Sequence, residues 1–126
     1  ENGGVLFCSE NSLFTVEGGI FENNESQDGA VALVNSGANL KVKNGTFTGN
    51  VAESEGGVFS VNSEGGIQIT GGTFTDNKAD YGGFLYKEGA GETSCTNASI
   101  LQHQGVDGGA IHAVDDAVLD WACDIG

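Results

Sequence analysis

Four carboxylates, Glu1, Glu55, Asp80 and Asp107, each stand two or three residues ahead of a glycine in the series Gly4, Gly57, Gly83 and Gly109. Drawn into one column they would offer the hard oxygen ligands that calcium takes. Left in water they form an acidic edge that keeps strands from pairing laterally. The sequence lacks the G-G-x-G-x-D phrase of calcium-binding repeats, which favours the solvated edge. No metal or cofactor is expected. Glycan-cleaving chemistry asks for other groups. A lyase needs a cation beside the uronate, yet the chain has no arginine, and its lysines, Lys41, Lys43, Lys78 and Lys87, are scattered. A hydrolase needs a convergent carboxylate pair with one raised acid, and here the acids lie mostly in turns. The expectation is a non-enzymatic protein.

Other residues suggest modification or cross-linking. Asn24, Asn44 and Asn97 head Asn-x-Ser/Thr sequons. Asn44 and Asn97 fall at the same outward place in the repeat described below and are the candidate glycosylation sites. Cys95 and Cys123 are a candidate disulfide, and Cys8 is left free or bridging to another copy. Thr46, Thr48, Thr73 and Thr75 flank two phenylalanines in a small threonine array, which some ice-binding surfaces use, although ordinary β-propensity accounts for it.

The elements that position these residues follow from repetition. The glycine markers Gly4, Gly29, Gly57, Gly83 and Gly109 recur every 25 to 28 residues, and Phe21, Phe47, Phe74 and Ile100 every 26 or 27. Between them lie short β-branched runs with period two and gaps of Gly, Asn, Asp, Glu and Ser, which read as strands and turns. One unit of about 26 residues cannot bury its own inner face, so units must stack. The fold expected is all-β: a right-handed parallel β-helix of about five coils over residues 1–126, three strands to a coil, with uncapped ends.

Columns of the stack then acquire roles. Phe21, Phe47, Phe74 and Ile100 form an inner ladder, and Asn24, Asn50, Asn77 and His103, three residues on, form a hydrogen-bonded one at the corner. Further inner columns are Phe14, Leu40, Ile67 and Thr93, then Val16, Val42, Ile69 and Cys95, with Leu119 and Trp121 continuing them. Leu6, Val31, Phe59, Leu85 and Ile111 point inward after the glycines, so strict alternation sends Val5, Phe7, Val58, Phe84 and Tyr86 outward as a lateral contact wall. An inward Lys87 sits awkwardly with that register.

The Gly-Gly-apolar-apolar phrase at Gly3-Gly4, Gly56-Gly57, Gly82-Gly83 and Gly108-Gly109, joined to Phe-x-x-Asn at Phe21 to Asn24, Phe47 to Asn50 and Phe74 to Asn77, resembles the repeats of chlamydial polymorphic outer membrane proteins and similar β-helical surface proteins. The resemblance covers nearly the whole chain. It implies an extracellular or cell-surface β-helix, a segment or processed product of a longer surface protein, serving adhesion or structure. Asp28-Gly29 departs from the glycine pair, and no translocator barrel is present. Expected partners are the protein itself, head to tail or laterally, or a host or cell-surface receptor. A net charge of −14 excludes nucleic acid, and no apolar run is long enough for direct membrane insertion.

Overall fold

A computed structural model describes residues 4–115, 117 and 119–124. Glu1 and Gly3 lie outside the described residues. The first coil runs β1 (Leu6–Cys8), β2 (Leu13–Val16), β3 (Ile20–Glu22) and β4 (Glu25–Asp28). The second runs β5 (Ala32–Val34), β6 (Asn39–Val42), β7 (Thr46–Thr48) and β8 (Val51–Glu55). In the third are β9 (Phe59–Val61), β10 (Gly66–Ile69), β11 (Thr73–Thr75) and β12 (Lys78–Tyr81). The fourth holds β13 (Leu85–Glu88), β14 (Thr93–Cys95), β15 (Ser99–Leu101) and β16 (Gln104–Asp107). A half coil follows, β17 (Ile111–Val114) and β18 (Asp120–Trp121). Every described pairing is parallel, each strand meeting its counterpart one coil away in four axial sheets. The chain is therefore a β-solenoid of four full turns and part of a fifth, all-β among the described residues.

Each turn has four strands, not the three expected. The extra sheet (β4, β8, β12, β16) follows the Phe-x-x-Asn corner and is mostly polar, with Val51, Tyr81 and Val106 facing outward. Its inward column consists of the small residues Ser26, Ala52, Ala79 and Gly105. A strand that buries only a methyl or less leaves no apolar signature in sequence. The residue before each ladder position makes the bend sharp: Asn23, Gly49, Asp76 and Gln102 all have positive φ, between 54° and 68°. Asn, Gly and Asp tolerate that conformation.

The register also corrects the glycine marker of the second coil. Gly29, Gly56, Gly82 and Gly108 share one column with φ of 57–75°, and the next column holds Gly4, Ala30, Gly57, Gly83 and Gly109. The second unit therefore carries Gly29-Ala30 in place of the pair, and Val31 stands level with Val58, not with Phe59. A side chain on Gly57 would run into the backbone carbonyl of Gly83. One spacing of 27 instead of 26 is a bulge in β8, where the register slips between Ala52 and Glu55.

Inside, the phenylalanine ladder is continuous. Phe21, Phe47 and Phe74 stack with ring centroids 4.6 Å apart, and Ile100 pairs with Phe74 in the next coil. Phe47, Phe74 and Ile100 are fully buried, each phenylalanine contributing roughly 1.5–3 kcal/mol. Phe59 and Phe84 meet the ladder edge-on or tilted at 4.9–5.9 Å. Phe14, Leu40, Ile67 and Thr93 form one inner column, and Val16, Val42, Ile69, Cys95 and Trp121 another.

Candidate functional site

The corner ladder uses its polar atoms on itself. Asn50 Oδ1 accepts the backbone N–H and the side-chain amide of Asn24, both at 3.0 Å, and Asn77 Oδ1 accepts the same pair from Asn50 at 2.9 Å. Asn50 Nδ2 also donates to the Phe21 carbonyl, and Asn77 Nδ2 to that of Phe47. His103 ends the series by copying asparagine. Its Nδ1 accepts the Asn77 N–H at 3.3 Å in the place of Oδ1, and its Nε2 lies 3.0 Å from the Phe74 carbonyl in the place of Nδ2. That pattern requires the neutral ring protonated on Nε2. Burial holds the imidazole below its ordinary range, against the opposing pull of the Phe74 carbonyl and Asp76. His103 is thus a structural member of the ladder.

The expected lateral wall is not formed. Val58 and Phe84 are fully buried, Tyr86 is buried, and only Val5 and Phe7, in the first coil, are about half exposed. The error lay in the alternation. At each glycine corner two successive N–H groups converge on a single carbonyl, Val58 and Phe59 on Phe84, Val31 and Ala32 on Val58. Both residues lie on the inside of the bend, and period two starts only afterwards. Phe7, Leu33, Ser60, Tyr86 and His112 then form the outward column. Next along, Cys8, Val34, Val61 and Lys87 turn inward and are completely buried.

Even the outward column is largely covered. Side chains at the end of the fourth sheet reach over it: Ser60 Oγ donates to Glu55 at 3.4 Å, and the Tyr81 ring lies 5.4 Å from His112. His112 stacks on Tyr86, whose hydroxyl donates to Glu88 at 2.9 Å. Burial first, then Asp28, raises the Glu55 carboxyl above the usual range. Burial also raises the Tyr86 phenol, with a further rise from Glu88. This crease between the first and fourth sheets gathers a titratable cluster outside the core. The carboxylate column differs from the expected one: Asp28, Glu55, Tyr81 and Asp107 share a register, while Asp80 stands one residue aside and Glu1 lies outside the described residues. Among the described residues no three His, Cys, Asp or Glu side chains converge as a metal site.

Lys87 occupies an apolar column because three carbonyls close over its end. Nζ donates to Gly65, Glu88 and Gly89 at 2.8–3.3 Å, and burial lowers its pKa. Cys95 and Cys123 are disulfide-bonded with Cα atoms 5.6 Å apart, fastening the last half coil to the fourth. Cys8 is a free thiol with no exposed surface, raised to about 11 by burial, so it does not present itself to a second copy. Asn44 and Asn97 are exposed at corners, whereas Asn24 has its side-chain nitrogen bound to Asn50. The threonines flanking the ladder stand outward in register, Thr46 beside Thr73 and Thr48 beside Thr75, between Ile20 and Glu22 on one side and Ser99 and Leu101 on the other.

No protein-family model matches the chain, and neither a curated protein nor a solved structure matches it.

Proposed function

We propose that the protein is a non-catalytic, extracellular or cell-surface β-solenoid acting as a structural or adhesive element. The observation that carries this reading is where the chain spends its reactive groups. His103 completes the asparagine ladder, Lys87 seals a corner and Cys8 is core, so these three groups, each capable of acid–base or nucleophilic work, hold the coils together. What remains outside is a mostly polar surface interrupted by single exposed apolar side chains such as Leu13, Ile20, Leu101 and Val106. The Gly-Gly-apolar-apolar and Phe-x-x-Asn phrases add the analogy to polymorphic outer membrane protein repeats, an analogy of fold more than of role.

Self-association end to end belongs to the same reading. Leu6, Phe14, Val16 and Phe21 are only partly buried at the face of the first coil, and a further coil stacked there, from this chain or another copy, would pair its free backbone groups. Negative-stain microscopy of the purified protein tests this, fibres being expected from self-stacking and short particles from a receptor binder. Beads coated with the protein should adhere to cells in the second case. Neither fibres nor adhesion, together with release of sugar fragments from a polysaccharide that Glu55→Gln abolishes, would replace the proposal with an enzyme.

A second reading, a carbohydrate- or receptor-binding module on a lateral face, is favoured by one groove.

A further inference from the structure

The outward face of the second sheet is concave and carries a row of polar side chains. Its central column, read from the register, is Thr15, Lys41, Gln68, Ser94 and Asp120. Beside it Asn39 and Glu92 flank Gly66, where a side chain would collide with Asn39 and the Glu92 backbone. Gly66 is therefore closely covered by Asn39 and Glu92, at a place where only a residue without a side chain fits. The surface there sinks into a groove in two joined lengths of 210 and 530 Å³, with Gln68, Glu92 and Ser94 lining both. The larger length has the size of a small-ligand site. Among the described residues, the side chains of Lys41, Gln68, Glu92, Ser94 and Asp120 have no hydrogen-bond or ion-pair partner, and that of Asn39 has one long contact of 3.4 Å.

We infer that this groove binds a linear, uncharged oligosaccharide laid along the solenoid axis. The inference rests on the lateral-face reading and supplies its ligand. Amide, carboxylate, hydroxyl and ammonium groups in one row provide donors and acceptors together, which is what a chain of sugar hydroxyls requires. The row advances about 4.8 Å per coil, so two coils span about 9.6 Å, close to the rise of two residues in an extended pyranose chain. Charge decides against a uronate polymer: Glu92 and Asp120 face it with only Lys41 in opposition, on a protein of net charge −14. A protein partner would want aromatic or arginine anchors at the centre. The groove lining has neither, and Leu13 at its lower end is its only exposed large apolar side chain.

The test is calorimetric titration of the whole chain with cellohexaose and with N-acetylated chitohexaose, using oligogalacturonate and deacetylated chitosan as charged comparisons. At least one neutral hexaose should bind with a Kd of about 1 mM or tighter, insensitive to added salt. Replacing Gln68 and Ser94 together by alanine should weaken it about tenfold or more without moving the melting temperature. Absence of binding by both neutral hexaoses, equal binding by the double variant, or a preference for either charged polymer would overturn the inference. The two proposals fail separately. Cell adhesion by a protein that binds no hexaose removes the groove assignment alone, whereas hexaose binding without adhesion or fibres leaves the groove and removes the structural-adhesive role.

Discussion

Truncating Asn50 to alanine asks most directly whether the corner ladder holds the coils. Asn50 is fully buried in the second coil and joins the coils on either side. Its removal deletes four hydrogen bonds of 2.9–3.0 Å: two from Asn24 to Oδ1, and two from Nδ2, to the Phe21 carbonyl and to Asn77. The backbone N–H of Asn24 loses the acceptor described above, and the Phe21 carbonyl its side-chain donor. A buried polar group deprived of its partner costs about 1–3 kcal/mol. Two such groups, with partial relaxation of the small void, give an expected loss of about 3–5 kcal/mol. That is a large share of the roughly 5–15 kcal/mol of a folded domain. Urea denaturation followed by circular dichroism measures it, with Thr46→Ala on the exposed face as the reference, expected within about 0.5 kcal/mol of wild type. If Asn50→Ala cost less than about 1 kcal/mol, or no more than Thr46→Ala, the ladder would be decoration and the account of coil stacking would be wrong.

Three further outcomes are expected. Because burial depresses the folded pKa of His103, its contribution to stability is present above the ordinary histidine range and is lost as pH falls through the folded value; His103→Asn should flatten that part of a urea-midpoint profile. Glu55 has the opposite sign, since a raised carboxyl favours folding below its ordinary range and loses that contribution as pH rises, so Glu55→Gln should be more stable than wild type at neutral pH and equal to it in acid. Cys8 should resist a thiol reagent in the native protein and react once urea unfolds the first coil, with Cys95 and Cys123 remaining silent until reduced.

What the sequence by itself determined is whatever repeats along the axis. A column such as Phe21, Phe47, Phe74 and Ile100 is legible because stacking places residues about 26 apart on top of one another, and only side chains that tolerate their own copies above and below can occupy such a place. The same logic marked the Asn24 to His103 series, since an amide can donate to one coil and accept from the next. Tertiary structure decided what happens around the circumference, where the four sheets meet. That Val58 and Phe84 lie inside depends on a bend that points two consecutive N–H groups at one carbonyl, and local alternation cannot register it. The fourth sheet was invisible because Ser26, Ala52, Ala79 and Gly105 bury almost nothing, so its position follows from the sheets beside it. The crease around Tyr86 and the groove along Gln68 and Ser94 likewise depend on how neighbouring coils and sheets sit against one another. Axial order is written once per turn in the chain, whereas transverse order is a property of all four sheets closing on one core.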